Sequence, residues 1–362
     1  MYTNDDLEAA VAAGALSPEA ANALRDYVAD RRATPIVDEE QFRLLTGFND
    51  VFVGVAAVIL LVAVAWIGNS IRPGIGPDEL SPFLGLFIAG SAWGLAEFFT
   101  RKRRMALPSI ILLLAFVGGV FAMAGGIASM IFSGGVHSDN ETVVLLIVAG
   151  CAAIAAVGAG LHWRRFKVPI TIAAGAGAVA GLFLALLATI FRDAEHSHQI
   201  MLAFLLLTGI GMFLVAMWWD ASDPRRETRR SDVAFWIHLL AAPMIVHPIF
   251  ALLGLTDGEA TIPEAVVVLV VYVGLGLTAL AIDRRAFLVS ALAYVLWALT
   301  NLFERFQVVE LSFALTALLI GSALLLLSAF WHDARRAVVT NLPANLRSKL
   351  PILDRRAQAN PA

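Results

Sequence analysis

The sequence predicts an all-α, polytopic transmembrane helix bundle: about ten spans in hairpins, both termini in the cytoplasm, and a small helical cytosolic unit at the N-terminus. Three observations carry this. The 362 residues are 59% hydrophobic and 15% charged, with mean hydropathy +0.78; a soluble domain carries about 25% charge. Ten apolar runs each approach the roughly 20 residues that a helix rising 1.5 Å per residue needs to cross a ~30 Å hydrocarbon core. The basic residues crowd into every second gap between those runs.

The first fifty residues read as a separate unit. They hold ten acidic and four basic residues. Asn4 or Thr3 caps a first helix through Leu7 and Val11, and Gly14 ends it. Ser17 then caps a second, with Pro18 in its first turn, running to about Asp30 past Ala21, Leu24 and Val28. A third stretch, 38–48, offers Phe42 and Leu45. So small a unit rarely folds alone, and it is expected to lean on the membrane domain, a partner or a second copy.

The spans follow over 51–69, 82–100, 106–132, 142–163, 168–191, 200–219, 233–255, 265–282, 286–303 and 308–331, making 51–331 the membrane domain. An Arg at mid-bilayer costs on the order of 3 kcal/mol, so Arg101–Arg104 must break the apolar stretch around it. All but three of the 26 Lys and Arg residues fall in the N-terminal unit, the alternate gaps and the tail. The exceptions are Arg72, Arg192 and Arg305. The positive-inside rule then puts both termini in the cytoplasm. Trp163, Trp218, Trp219, Trp236 and Trp331 fall near the cytoplasmic helix ends, the depth that indole favours; Trp66, Trp93 and Trp297 do not.

Within the spans, small residues such as Gly118, Gly119, Gly125 and Gly126, and Gly175, Gly177 and Gly181, suit close helix packing. The basic turns Arg104–Pro108, Arg165–Pro169 and Arg285–Leu288 share a local look, which leaves open whether the hairpins are repeats. The tail, 332–362, is basic. Leu342, Leu346, Leu350 and Leu353 stand at near-helical spacing, fitting either a short interfacial helix or a frayed end. No cleavable leader is visible. The single cysteine, Cys151, excludes an internal disulfide.

The opening run Leu7…Ala12-Ala13-Gly14-Ala15-Leu16-Ser17-Pro18-Glu19-Ala20, followed by a linker and many spans, resembles uncharacterised bacterial multi-pass inner-membrane proteins that begin with a short cytosolic helical segment. The resemblance implies that architecture and the bacterial inner membrane, and no activity.

Few residues in the spans carry chemistry. Glu97 lies four positions before Arg101, so it is either a snorkelling local pair or a substrate carboxylate. The seventh span holds His238, Pro243, His247 and Pro248. The prolines strip the helical donor from the Leu239 and Met244 carbonyls, and broken helices often line binding sites. His238 and His247, nine apart, point to opposite faces and cannot chelate together. His247, Pro248, Pro243, Glu97 and Asn301 are the candidates for a cavity or substrate path; the alternative is a packed, hydrogen-bonded bundle. His137, Asp139, Glu141, Glu195, His196 and His198 are ligand-like but scattered over two loops. No catalytic set, cofactor or metal site is expected, and there is no phosphate loop, nucleophile elbow or HExxH helix. Nucleic acid is not an expected partner. The bilayer is one, and residues 1–50 offer a surface for a cytosolic or membrane protein; a homo-oligomer stays open. Two functions compete: a non-enzymatic scaffold, assembly or sensor protein, and a transporter or flippase for a weakly charged or lipid-like substrate.

Overall fold

The computed structural model describes residues 7, 10–24, 48–72, 76, 80–132, 140–223, 226, 228–254, 262–305, 312–347 and 350–351. The chain divides into two compact units, Met1–Leu44 and Leu45–Ala362. Among the described residues there are helices and no strand.

In the first unit, Gly14 takes a left-handed φ of +68° and ends the first helix, its N–H bonding the Val11 carbonyl. The Ser17 hydroxyl accepts the Ala20 N–H and caps the next. Leu7 and Ala21 are buried. Asn4, Thr3, Phe42 and Leu45 lie outside the described residues.

Ten long helices of the second unit overlap the ten apolar runs: α1 (Phe48–Ser70), α2 (Pro82–Ala96), α3 (Ala106–Phe132), α4 (Glu141–Phe166), α5 (Ile170–Phe191), α6 (Ser197–Ala221), α7 (Arg229–Leu252), α8 (Ile262–Ile282), α9 (Ala286–Arg305) and α10 (Ser312–Ala329). Two follow, α11 (Trp331–Thr340) and the single turn α12 (Ala344–Arg347). Among the described residues, seven helices, α1 to α7, are long and apolar enough to cross a membrane, α2 together with its π-helical extension Glu97–Lys102. An eighth is added if α10 and α11, bent by 73°, count as one. The outward side chains agree: Leu325, Ile190 and Trp66 are 74%, 72% and 79% exposed. Water does not tolerate apolar surface on that scale, whereas lipid does.

The helices pack in order, each basic-side connection closing a hairpin: α2 with α3, α4 with α5, α6 with α7, α8 with α9. Each of these turns places one non-glycine residue in the left-handed region. They are Arg104, Lys167, Arg226 and Asp283, with φ between 53° and 57°. That conformation costs on the order of 1 kcal/mol for an L-residue. In return it lets the amide reach back and satisfy terminal carbonyls: Lys167 N–H bonds the Trp163 carbonyl, and Arg284 N–H that of Ala279.

Small residues set how close the helices come. A Cβ added to Gly119 would sit 2.8 Å from the Ala89 nitrogen and 2.9 Å from the Gly85 oxygen, so α2 and α3 touch backbone to backbone. Gly118, one residue away, faces open space, as does Gly181. Only part of the glycine content is packing surface.

Two expected features differ. The last apolar run stops at Ala329, and Trp331 opens α11 in a new direction. The amphipathic element of the tail is therefore α11, burying Trp331, Arg335 and Val339 at i, i+4 and i+8. Among the described residues, the Leu342–Leu353 segment contributes α12, with Pro343 just before it.

Candidate functional site

Two connections that carry both Arg and Asp meet α11 at one end of the α6–α11 half. Asp220 closes α6, and Asp223, Arg226 and Thr228 form the turn into α7. Asp283 and Arg284 join α8 to α9, and α11 supplies Trp331 and Arg335. All except Thr228 are among the buried residues.

The cluster has two carboxylate centres. The first is Asp220. Arg284 donates to it from Nη2 at 2.6 Å and from Nε at 3.3 Å, a two-point grip, while His238 Nε2 lies 3.1 Å from Oδ2. Arg284 Nη2 also reaches the Ser231 carbonyl at 3.2 Å. The second is Asp283, which accepts from Arg226 Nη1 at 2.8 Å and from the Trp331 indole at 2.8 Å; Arg335 Nε stands 3.7 Å away. Arg226 further donates to the Ile282 carbonyl at 3.0 Å, and Arg335 to that of Pro351 at 2.7 Å. Asp223 is used locally, accepting the Thr228 N–H and hydroxyl, while Thr228 caps α7.

Such charges are stable inside only when paired and hydrogen-bonded. Burial pushes the Asp283 carboxyl up, but the Arg226 and Arg335 guanidiniums and the Trp331 indole overcome this and hold it below the usual carboxylate range. Burial, with repulsion from Arg284, brings Arg226 down to about 10, which leaves it cationic at neutral pH. A carboxylate depressed in the fold stabilises it above its ordinary pKa of about 4 and loses that contribution as pH falls through the lower folded value. The melting temperature in detergent should therefore fall below about pH 4, with a shallower acid limb in Asp283→Asn. Identical acid limbs in the two proteins would refute this role for Asp283.

Among the described residues, the candidates expected from sequence do not come together at one place. Glu97 sits in the π-helical extension of α2. It bonds Arg101 at 3.3 Å as the spacing predicts, and more tightly Arg165 of the next basic turn, at 2.7 and 3.0 Å. It ties two turns together. Helix α7 runs unbroken through Pro243 and Pro248. The Met244 carbonyl freed by Pro248 packs against Gly209 of α6, where an added Cβ would be 2.8 Å from it. Pro248 is buried and Pro243 exposed. His247 is exposed, with Nδ1 2.6 Å from the Tyr294 hydroxyl, and Tyr294 stacks at 4.4 Å on the fully buried Phe250. His247→Ala should therefore insert and melt like the parent within a few degrees; loss of folded protein in detergent would make the histidine structural. Asn301 lies in α9, but its side chain is outside the described residues, as are His137 and Asp139. No group of three metal-ligand side chains forms among the described residues.

Sequence reasoning missed the Asp220 and Asp283 centres because it counted only the cations. A signal was present. The first two basic turns, 101–104 and 164–167, contain no acid, whereas the later connections carry Asp220, Asp223 and Asp283 beside their arginines. Compared with protein families, curated proteins and solved structures, the chain matches none.

Proposed function

We propose that this chain is a ten-span protein of the bacterial inner membrane with both termini in the cytoplasm. It works without catalysis, as a scaffold, assembly factor or sensor whose acidic N-terminal unit meets a cytosolic or membrane protein. The single observation that supports this best is how the polar groups of the spans are used. Glu97 is tied to Arg165 and Arg101, Asp220 to Arg284 and His238, and His247 to Tyr294. Intramembrane charge in a pump lines the route of its substrate; here the charged groups, mostly at helix ends and turns, fasten helices to each other. The alternation of basic gaps supports the orientation.

Two measurements test the reading. Reporter enzymes fused after Ser138 and after Arg226 should light up on opposite sides of the membrane; the same side for both would overturn the threading. Photo-crosslinking residues at Glu19 and Ala23, both exposed in the N-terminal unit, should each trap the same protein in living cells. No adduct at either position would remove the role given to residues 1–50. The second reading, a transporter or flippase for a lipid-like substrate, is favoured by an apolar groove between α9 and α10 with an arginine at its rim. It requires the reconstituted protein to move labelled lipid between leaflets.

A further inference from the structure

We infer that the basic turns α2–α3 and α4–α5, joined through Glu97, form one surface that binds the phosphates of anionic phospholipids, with Lys102, Arg104 and Arg164 as the receiving cations. Residues 97–104 and 164–167 hold seven cations and one carboxylate, that of Glu97. Arg165 grips this carboxylate from two atoms and Arg101 from a third, so the two turns stand side by side with a large positive surplus. Lys102, Arg104 and Arg164 are exposed and, among the described residues, have no carboxylate partner.

The later turns handle their charge differently. Residues 220–232 hold four acids and four bases, and Arg226 and Arg284 turn inward to Asp283 and Asp220. Orientation in a membrane is served by either arrangement, since it needs only cations near the helix ends. The first arrangement leaves them facing outward, where an anion can reach them.

Position selects lipid as the source of that anion. On α4, Ile154, Val157 and Leu161 are 49%, 64% and 52% exposed, and spacings of three and four carry this face on to Arg164. An acyl chain lying along the apolar stretch brings its phosphate to the level of the arginine. Two more cations are seated on rings near the helix ends, Arg103 over Phe98 at 5.4 Å and Lys167 over Trp163 at 5.3 Å. Indole settles at the depth of the headgroups, and a cation held on its face stays there with it. An acidic protein would match the charges but not the apolar face beneath them. The site goes beyond the scaffold reading; it needs only that these helices lie in a bilayer.

The test titrates the full chain in detergent with phosphatidylglycerol or phosphatidylcholine and counts bound lipid by native mass spectrometry. The wild-type protein should bind phosphatidylglycerol about tenfold more tightly or better. Lys102→Gln/Arg164→Gln should melt like the parent, lose most of that preference, on the order of fivefold for each charge removed, and bind phosphatidylcholine unchanged. Arg229→Gln/Arg230→Gln, which takes two exposed cations from the α6–α7 turn, should bind both lipids like the wild type. A photo-crosslinker at Leu161 should capture phospholipid in cells. Equal affinity of the wild type for the two lipids would overturn the proposal whatever the variants do. So would an equal loss in the Arg229/Arg230 pair, which would make the effect one of overall charge, or a protein adduct at Leu161. Protein in detergent has no sides, so the outcome is independent of orientation and separable from failure of the fusion test.

Discussion

Asp220→Ala should cost about 3–5 kcal/mol, the range seen when one partner of a buried ion pair is removed and its mate stays behind. Two groups lose their acceptor together. Arg284 is gripped from Nη2 and Nε, and His238 is fully buried with its Nε2 on the same carboxylate. The expected result is a sharply lower melting temperature in detergent, or protein that aggregates on extraction. The double variant Asp220→Ala/Arg284→Met should be less damaged than the sum of its parts, because the stranded cation is gone as well. Purely additive losses would show that the two side chains do not depend on each other, and the cluster described above would be wrong.

The second large effect is steric. Gly119→Leu puts a side chain where the α2 backbone already lies, within 2.9 Å of the Ala89 nitrogen and the Gly85 oxygen. Neither atom can swing aside as a flexible side chain would. Overpacking of this kind costs about 1–3 kcal/mol or more, and helix association in lipid relies on such close fits. Gly118→Leu is the internal control. It points into open space and replaces a poor helix former, so it should be neutral or stabilising by up to roughly 1 kcal/mol. Thermal melts of the two variants side by side decide the matter; equal behaviour would mean that α2 and α3 do not meet at this face.

The helices are legible in the sequence because apolar length is a one-dimensional property. All ten runs correspond to helices, and Ser17 and Gly14 bound the N-terminal helices as their chemistry requires. What sequence does not show depends on three dimensions. Spacing pairs Glu97 with Arg101, but its stronger partner, Arg165, is 68 positions away. The turn at Phe330 is hidden because hydropathy records composition and not direction, and Trp331 continues the apolar run while changing its axis. The prolines of α7 suggest a broken helix around a cavity. Gly209 instead allows the neighbouring backbone to come up against the freed Met244 carbonyl, and the helix continues. Helical spacing turns His238 away from His247 but does not make it a partner of Asp220, since nothing local connects residues 18 apart across a turn.

The bend before α11 also sets an order of assembly. Asp283 and Arg226 leave the ribosome well before Arg335, and the Pro351 carbonyl that receives Arg335 is made later still. Until then the second carboxylate centre has only part of its complement, and the crosswise helix closes it. Helix α11 thus acts as a keystone. Without Asp283 and Arg226 in place, α11 has no socket for its arginine and tryptophan.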